Sequence, residues 1–176
     1  EGAERTRDIV DGLKRFSAVD RNLLEPMDLV PVVERAVHWV SKAAPGGFKV
    51  HVDLPSTLAI NGSAGQLQQV VMNLVQNACD ATAGQAEARL EITCRIDGEK
   101  VRLRFADNGV GIARENLPRV FDPFFTTKPV GKGTGLGLAI SYGIVERHGG
   151  KLSVENGPGG GTVFTLALPL APRGAQ

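Results

Sequence analysis

The 176-residue chain has only two cysteines, Cys79 and Cys94, too few for a disulfide framework and without metal-ligand spacing. Each reads as a small buried apolar residue. Aromatic residues make up 5%, and 20 Lys+Arg against 19 Asp+Glu leave a formal net charge of +1. Neither stacking rings nor a global field is there to hold nucleic acid. No apolar run approaches the roughly 18 residues of a membrane span. Residues 1–7 mix acidic and basic groups where a signal peptide needs an apolar stretch, so a soluble chain without membrane contact is expected. Histidine occurs three times, as His38, His51 and His148, and none is followed by an acidic residue. What remains is 42% hydrophobic, enough for the core of one domain.

Glycine is the surplus, 22 residues or about twice the usual share. The apolar spacing around it predicts helices over 4–24, from the N-cap Asp28 to Val40, over 63–83 and over 136–148. Alternating residues predict strands at 48–54, 57–60, 89–96, 101–106, 151–155 and 162–168, the last four forming two hairpins. Residues 108–134 carry no sustained period and read as a long loop of the kind used as a functional lid. The order favours an α+β two-layer sandwich, helices on one face of a mixed, mostly antiparallel sheet.

Three glycine clusters stand out: 107–112 (Asp-Asn-Gly-Val-Gly-Ile), 131–138 (Gly-Lys-Gly-Thr-Gly-Leu-Gly-Leu) and 159–162 (Gly-Gly-Gly-Thr). Glycine at this density lets backbone N–H groups approach a bulky anionic ligand, and the second cluster opens a helix, whose N-terminus favours phosphate. Each cluster alone could be ordinary turns. The P-loop and the dinucleotide fingerprint do not fit, because their glycine spacing is absent. Asn73 and Asn77 lie one helical turn apart, with Gln66, Gln69 and Asp80 on the same polar face. Helices disfavour asparagine, so the pair suggests a ligand wall, and an amide oxygen is a hard, neutral ligand for Mg²⁺.

These residues fall into blocks. Asn73-Leu74-Val75-Gln76-Asn77-Ala78 resembles the N box of sensor histidine kinases, and 107–112 resembles their first glycine box. Phe121-Asp122-Pro123-Phe124-Phe125-Thr126-Thr127-Lys128 resembles the F box, 133–138 the second glycine box and 160–162 the terminal one. The resemblance covers residues 28–170 and extends more distantly to gyrase, Hsp90 and MutL. The Phe125-Thr126-Thr127-Lys128 and Ser141-to-Glu146 runs look closest to kinases governing nitrogen, dicarboxylate or hydrogenase genes.

The resemblance implies a Bergerat-type fold with ATP and Mg²⁺ between helices and a lid over 108–134, anchored by Phe124 and Phe125. Asp107 would accept a hydrogen bond from the adenine amino group, with Thr162 joining through water and Gly109, Gly111 and Ile112 alongside. Asn77 would hold Mg²⁺ and Asn73 would contact the phosphates. Gly131, Gly133, Thr134, Gly135, Leu136, Gly137 and Leu138 would line the phosphates, chiefly through backbone N–H groups. Where many histidine kinases carry a lysine three residues after the second asparagine, this chain has Asp80, and Lys128 is the cation offered in its place. A charge argument adds Lys128 and Lys132 as partners of the γ-phosphate, against the plainer reading of surface lysines.

A histidine kinase needs an acceptor histidine on a helix beside an acidic base, and none of the three histidines fits. Residues 1–25 are expected to be a remnant of the second dimerisation-hairpin helix, 26–171 the ATP-binding domain and 172–176 a disordered tail. The implied partners are the dimerisation and phosphoacceptor domain of the same kinase and a response-regulator receiver domain; this domain is expected in a bacterial cytoplasm, the full-length protein is expected to be a homodimer, and its membrane anchoring is not fixed by the sequence. Two other readings stay open: an ATP-hydrolysing clamp of the gyrase or MutL type, and a nucleotide-binding module without catalysis. The clamp needs a glutamate to activate water one turn before the metal-binding asparagine, and that position is Asn73.

Overall fold

Asp28 ties two distant stretches together. Its Oδ1 accepts the Val30 N–H at 3.0 Å, capping the first helix, and the Leu58 N–H at 2.9 Å, thirty residues on. The computed structural model describes residues 24–173, so the expected helix over 4–24 lies outside the described residues apart from Leu24, as does the end of the expected tail. The described chain runs β1 (Glu25–Asp28), α1 (Leu29–Ala43), β2 (Lys49–Asp53), β3 (Ala59–Gly62), α2 (Ala64–Ala81), β4 (Arg89–Asp97) and β5 (Lys100–Asp107). After a 3-10 turn at Leu117–Arg119 come α3 (Gly137–Arg147), β6 (Lys151–Asn156) and β7 (Thr162–Pro169).

Five strands form one mixed sheet in the order β2-β4-β5-β7-β6. The β2–β4 pair is parallel and the others are antiparallel, as the two expected hairpins require. The central register sets Ile92 opposite Phe105 and Phe105 opposite Phe164, so one face of the sheet is continuously apolar. Leu67, Val70, Val71 and Leu74 of α2 bury against that face, flanked by Val33 of α1 and Ile144 of α3. This is the α+β two-layer sandwich expected, with the helices on one face. No helix among the described residues is long and apolar enough to cross a membrane.

Two elements depart from expectation. β1 was not foreseen, because Pro26 reads as a break. It forms a separate two-stranded sheet with β3, where Pro26 stands opposite Asn61 on a strand whose one strand neighbour is β3, an edge position that tolerates proline. Helix α2 stops at Ala81, where a helix to residue 83 was expected: the Ala83 N–H turns to the Asp80 carbonyl at 3.3 Å and Gly84 takes a left-handed φ of +82°. Both cysteines are free thiols, and burial raises their pKa.

His148 closes α3 and starts α2. Its ring is 4% exposed; Nδ1 faces the Ile144 carbonyl at 2.7 Å and Nε2 accepts the Ser63 N–H at 3.0 Å. Only a neutral ring with its proton on Nδ1 satisfies both bonds, and burial pulls the pKa down. Its role is structural, while His38 on α1 and His51 on β2 are exposed.

Candidate functional site

β5 ends at Asp107, whose carboxylate organises one end of the sheet. Oδ1 accepts the Gly109 N–H at 2.8 Å and the Thr162 N–H at 3.1 Å. The residue is 8% exposed, and burial pushes its carboxyl above the usual range while the two backbone donors pull it back. Neither donor is on Oδ2. No fully buried side-chain nitrogen or oxygen among the described residues lacks a partner, so Oδ2 reaches the surface. A carboxylate with one oxygen fixed and the other open has room for one donor from outside.

The first and third glycine clusters interlock around it. A Cβ on Gly161, at φ +75°, would lie 1.9 Å from the Asp107 carbonyl oxygen, and one on Gly109 would lie 2.5 Å from the Ala81 carbonyl oxygen. Asn108 accepts the Arg89 N–H at 2.9 Å and donates to the Glu87 carbonyl at 2.7 Å. Asn156, at the end of β6, accepts the Ile112 N–H at 2.8 Å and donates to its carbonyl at 2.7 Å. Residues 108–112, including Gly111 and Ile112, are thus bound to the frame at the start of the expected lid segment. Sequence reasoning missed Asn156, since an asparagine before Gly157-Pro158-Gly159 reads as a turn residue.

The polar stripe of α2 is only half open. Helix α3 lies alongside it, its start at Asn73, whose Nδ2 donates to the Gly137 carbonyl at 3.1 Å and to Ser141 Oγ at 3.0 Å, and its end at Ser63 through His148. Gln66 lies between those two contacts in sequence and is 7% exposed, so its expected place on the open polar face is corrected: it is buried. Asn77 is half-buried with no side-chain hydrogen bond, leaving its amide oxygen available. One turn on, Asp80 Oδ1 accepts Gln76 Nε2 at 2.9 Å and Oδ2 forms an ion pair with the Lys128 ammonium.

Lys128 belongs to the irregular segment between Ile112 and α3. Val120 is buried there, and Phe121 packs against Tyr142 and Phe164 with ring centroids 5.2 and 6.4 Å away. These two side chains anchor the segment. Phe124 is 55% exposed and contributes its backbone, its N–H donating to the Gly135 carbonyl at 2.9 Å, while Phe125 lies under the Arg119 guanidinium at 4.6 Å. A Cβ on Gly135 would come within 2.4 Å of the Phe124 carbonyl carbon, and one on Gly133 within 3.0 Å of Thr126 Oγ1. Thr134 Oγ1 accepts the Leu136 N–H at 3.3 Å, and α3 then begins with no side-chain cap and no acidic residue in its first turn. Its free N–H groups suit an anion. Leu138 packs inward against the core, whereas Gly131 and Lys132 are exposed.

The structure therefore links Asp107 with Gly109 and Thr162, Asn73 with Gly137, and Asp80 through Lys128 with Gly133, while Gly109 packs on Ala81 at the end of the helix that carries Asn73, Asn77 and Asp80. Residues 62–172 match the family of histidine kinase-, DNA gyrase B- and HSP90-like ATPases. The chain is 44% identical over 131 residues to the two-component sensor PprA of Pseudomonas aeruginosa, covering 69% of this chain and 14% of the relative. To the signal transduction histidine-protein kinase AtoS of Escherichia coli it is 35% identical over 173 residues, 96% of this chain and 28% of the relative. The crystal structure of full-length ShkA in complex with AMPPNP matches 96% of this chain and 36% of its own, with a TM-score of 0.76 at 28% identity. The chain spans well under half the length of all three. The matched span, the shared topology and the clustered boxes place the chain in the histidine kinase-, DNA gyrase B- and HSP90-like ATPase family, as the ATP-binding domain of a sensor histidine kinase.

Proposed function

We propose that residues 26–171 bind Mg²⁺-ATP and present its γ-phosphoryl group to a histidine on a dimerisation domain, for relay to an aspartate of a response regulator. The observation that carries the nucleotide reading is Asp107, a buried carboxylate whose Oδ1 is held by two backbone N–H groups and whose Oδ2 is open. That is what an acceptor for the adenine amino group requires, with the Thr162 hydroxyl beside it to hold a bridging water. The relative ShkA was solved with AMPPNP, an ATP analogue, which supports the same ligand here.

At the other end Asn77 would hold Mg²⁺ through its amide oxygen, a hard donor without the charge that would repel phosphates. The metal, when bound, neutralises phosphate charge during transfer. Asn73 keeps its Oδ1 for the phosphate region while Nδ2 fixes α3. Backbone N–H groups of the second cluster and the start of α3 would cradle the phosphates, and Lys128 would meet the γ-phosphate in place of the lysine that Asp80 displaces. An amide at 73 cannot take a proton from water, so slow hydrolysis and transfer to a positioned nucleophile are favoured over the clamp reading. Residues 1–25 would continue into the dimerisation hairpin, this domain would lie in the cytoplasm, and the working protein would be a homodimer. Closer kinship to kinases of nitrogen, dicarboxylate or hydrogenase genes rests on the Phe125-to-Lys128 and Ser141-to-Glu146 runs alone, since relatives at 33 to 44% identity spread over sensors of several kinds.

The test supplies γ-labelled ATP and Mg²⁺ to the chain with and without a hairpin domain carrying an acceptor histidine. We expect no label on the chain alone, and acid-labile, alkali-stable label on the hairpin that rises with its concentration and vanishes when its histidine becomes glutamine. Strong self-labelling that survives loss of any one histidine would overturn the proposal.

A further inference from the structure

We propose that Asp80 is a positioning residue that holds Lys128, and with it the lid, until a γ-phosphate takes the ammonium over. The inference rests on the nucleotide reading above.

The two partners belong to different parts of the molecule. Asp80 stands on α2, three residues beyond Asn77, and both its oxygens are engaged: Oδ1 by Gln76 Nε2 at 2.9 Å and Oδ2 by the Lys128 ammonium. Gln76 thereby orients the carboxylate toward the lid. Lys128 is equally well placed on the other side. Its N–H donates to Thr126 Oγ1 at 3.1 Å, and its side chain passes so near Gly133 that a Cβ there would lie 3.1 Å from Lys128 Cδ. The pair thus joins the metal-side asparagine helix to the phosphate-side glycine cluster. Among the described residues the other lid cations form no such bridge: Arg119 sits over the Phe125 ring, and Arg114 and Lys132 are exposed.

The direction of exchange follows from charge. The Asp80 and Lys128 side chains are 37% and 35% exposed, and an ion pair that wet is weak. A terminal phosphate carries more negative charge and three acceptor oxygens, so the ammonium gains by leaving the carboxylate for it. Any contact made only before the nucleotide arrives lowers apparent affinity. Asp80 therefore competes with ATP for Lys128, which makes the sign of its effect opposite to that of an ordinary supporting contact.

The test is a double-mutant cycle read by calorimetry with Mg²⁺-ATP and Mg²⁺-ADP, and by limited trypsin digestion after Lys132 without nucleotide. We expect Asp80→Asn to bind Mg²⁺-ATP about two- to fivefold tighter, with a smaller gain for ADP, and to be cut faster without nucleotide. Asp80→Glu, which keeps the pair, should return both readings toward the unmodified chain. Lys128→Met should weaken ATP about tenfold and also speed cutting, and adding Asp80→Asn to it should change nothing further. Weaker ATP binding by Asp80→Asn, or an equal effect of it in the Lys128→Met background, overturns the proposal while leaving the nucleotide site standing. An unmodified chain that binds no Mg²⁺-ATP overturns the site itself, and this inference with it.

Discussion

The glycine clusters are alike in composition and opposite in use. The first and third lock into each other and into the frame: Gly161 touches the Asp107 carbonyl, Gly109 the end of α2, and Asn156 seals Ile112. The second packs mainly against its own neighbours, Gly135 on Phe124 and Gly133 on Thr126 and Lys128, and meets the frame where Gly137 reaches Asn73 and where Lys128 reaches Asp80. One set of glycines makes close approach possible within the frame; under the proposed function the other would let a segment re-form its contacts around phosphates. Adenine has a fixed shape, whereas a phosphate chain with its metal changes charge and partners during transfer, so the division would match the demands of that ligand.

The sharpest way to break this comparison is at Gly161. Alanine there combines a left-handed backbone with a Cβ driven into the Asp107 carbonyl oxygen, which must move β7 away from β5. We expect a loss of about 3–5 kcal/mol of stability, or roughly 10 °C in melting temperature for a chain of this size. A thermal melt checks it. A shift within the noise would mean that the two clusters are not interlocked in solution.

Asp107→Asn separates recognition from folding at the same place. Asparagine keeps one oxygen for the Gly109 and Thr162 N–H groups, but replaces Oδ2 by a donor facing the adenine amino group. Affinity for ATP should fall roughly tenfold to a hundredfold, the loss of about 1.5–3 kcal/mol for a charge-assisted bond. Stability should hold or rise. Burial raises the folded carboxyl pKa above its unfolded value, so this group favours the fold at acid pH, and that contribution is lost as pH rises through the folded value. The amide escapes that penalty at neutral pH. Calorimetry should also show wild-type affinity weakening as pH falls toward the folded pKa and protonates the acceptor, a dependence that the asparagine variant lacks. Equal affinity in the two proteins would remove Asp107 from the site.

Residues whose partners are local in sequence were legible. Asp28 before an apolar helical period is a cap, the alternation on either side of Gly98 is a hairpin, and Asn73 and Asn77 at one-turn spacing share a face. Features that depend on a second element were not. The amphipathic pattern of α2 contains no record of the burial of Gln66, β1 is too short for any period to emerge around Pro26, and the Asn156 clamp joins residues 44 apart. The Asp80–Lys128 pair is intermediate. Its separation of 48 residues hides it from any local pattern, yet an acidic residue at a position where related kinases carry lysine already pointed to a compensating cation.

The smallest expected effect is at Gly131, and its smallness is the point. Gly131, at φ +88°, takes the third position of a turn closed by the Lys132 N–H on the Pro129 carbonyl at 3.0 Å, and nothing lies within 4 Å of where its Cβ would be. Alanine therefore meets only the backbone cost of a left-handed residue, about 1 kcal/mol, with no clash to add. If that segment opens without unfolding the frame, as a lid would, the strain should raise the open population locally while the melting temperature moves by less than about 2 °C. Trypsin cutting after Lys132 should speed up by about fivefold at most, the factor that about 1 kcal/mol allows, and the excess should shrink when Mg²⁺-ATP is added. If Gly131→Ala instead lowered the melting temperature as far as Gly161→Ala, the lid and the frame would be one cooperative unit, and the contrast between the glycine clusters would fail.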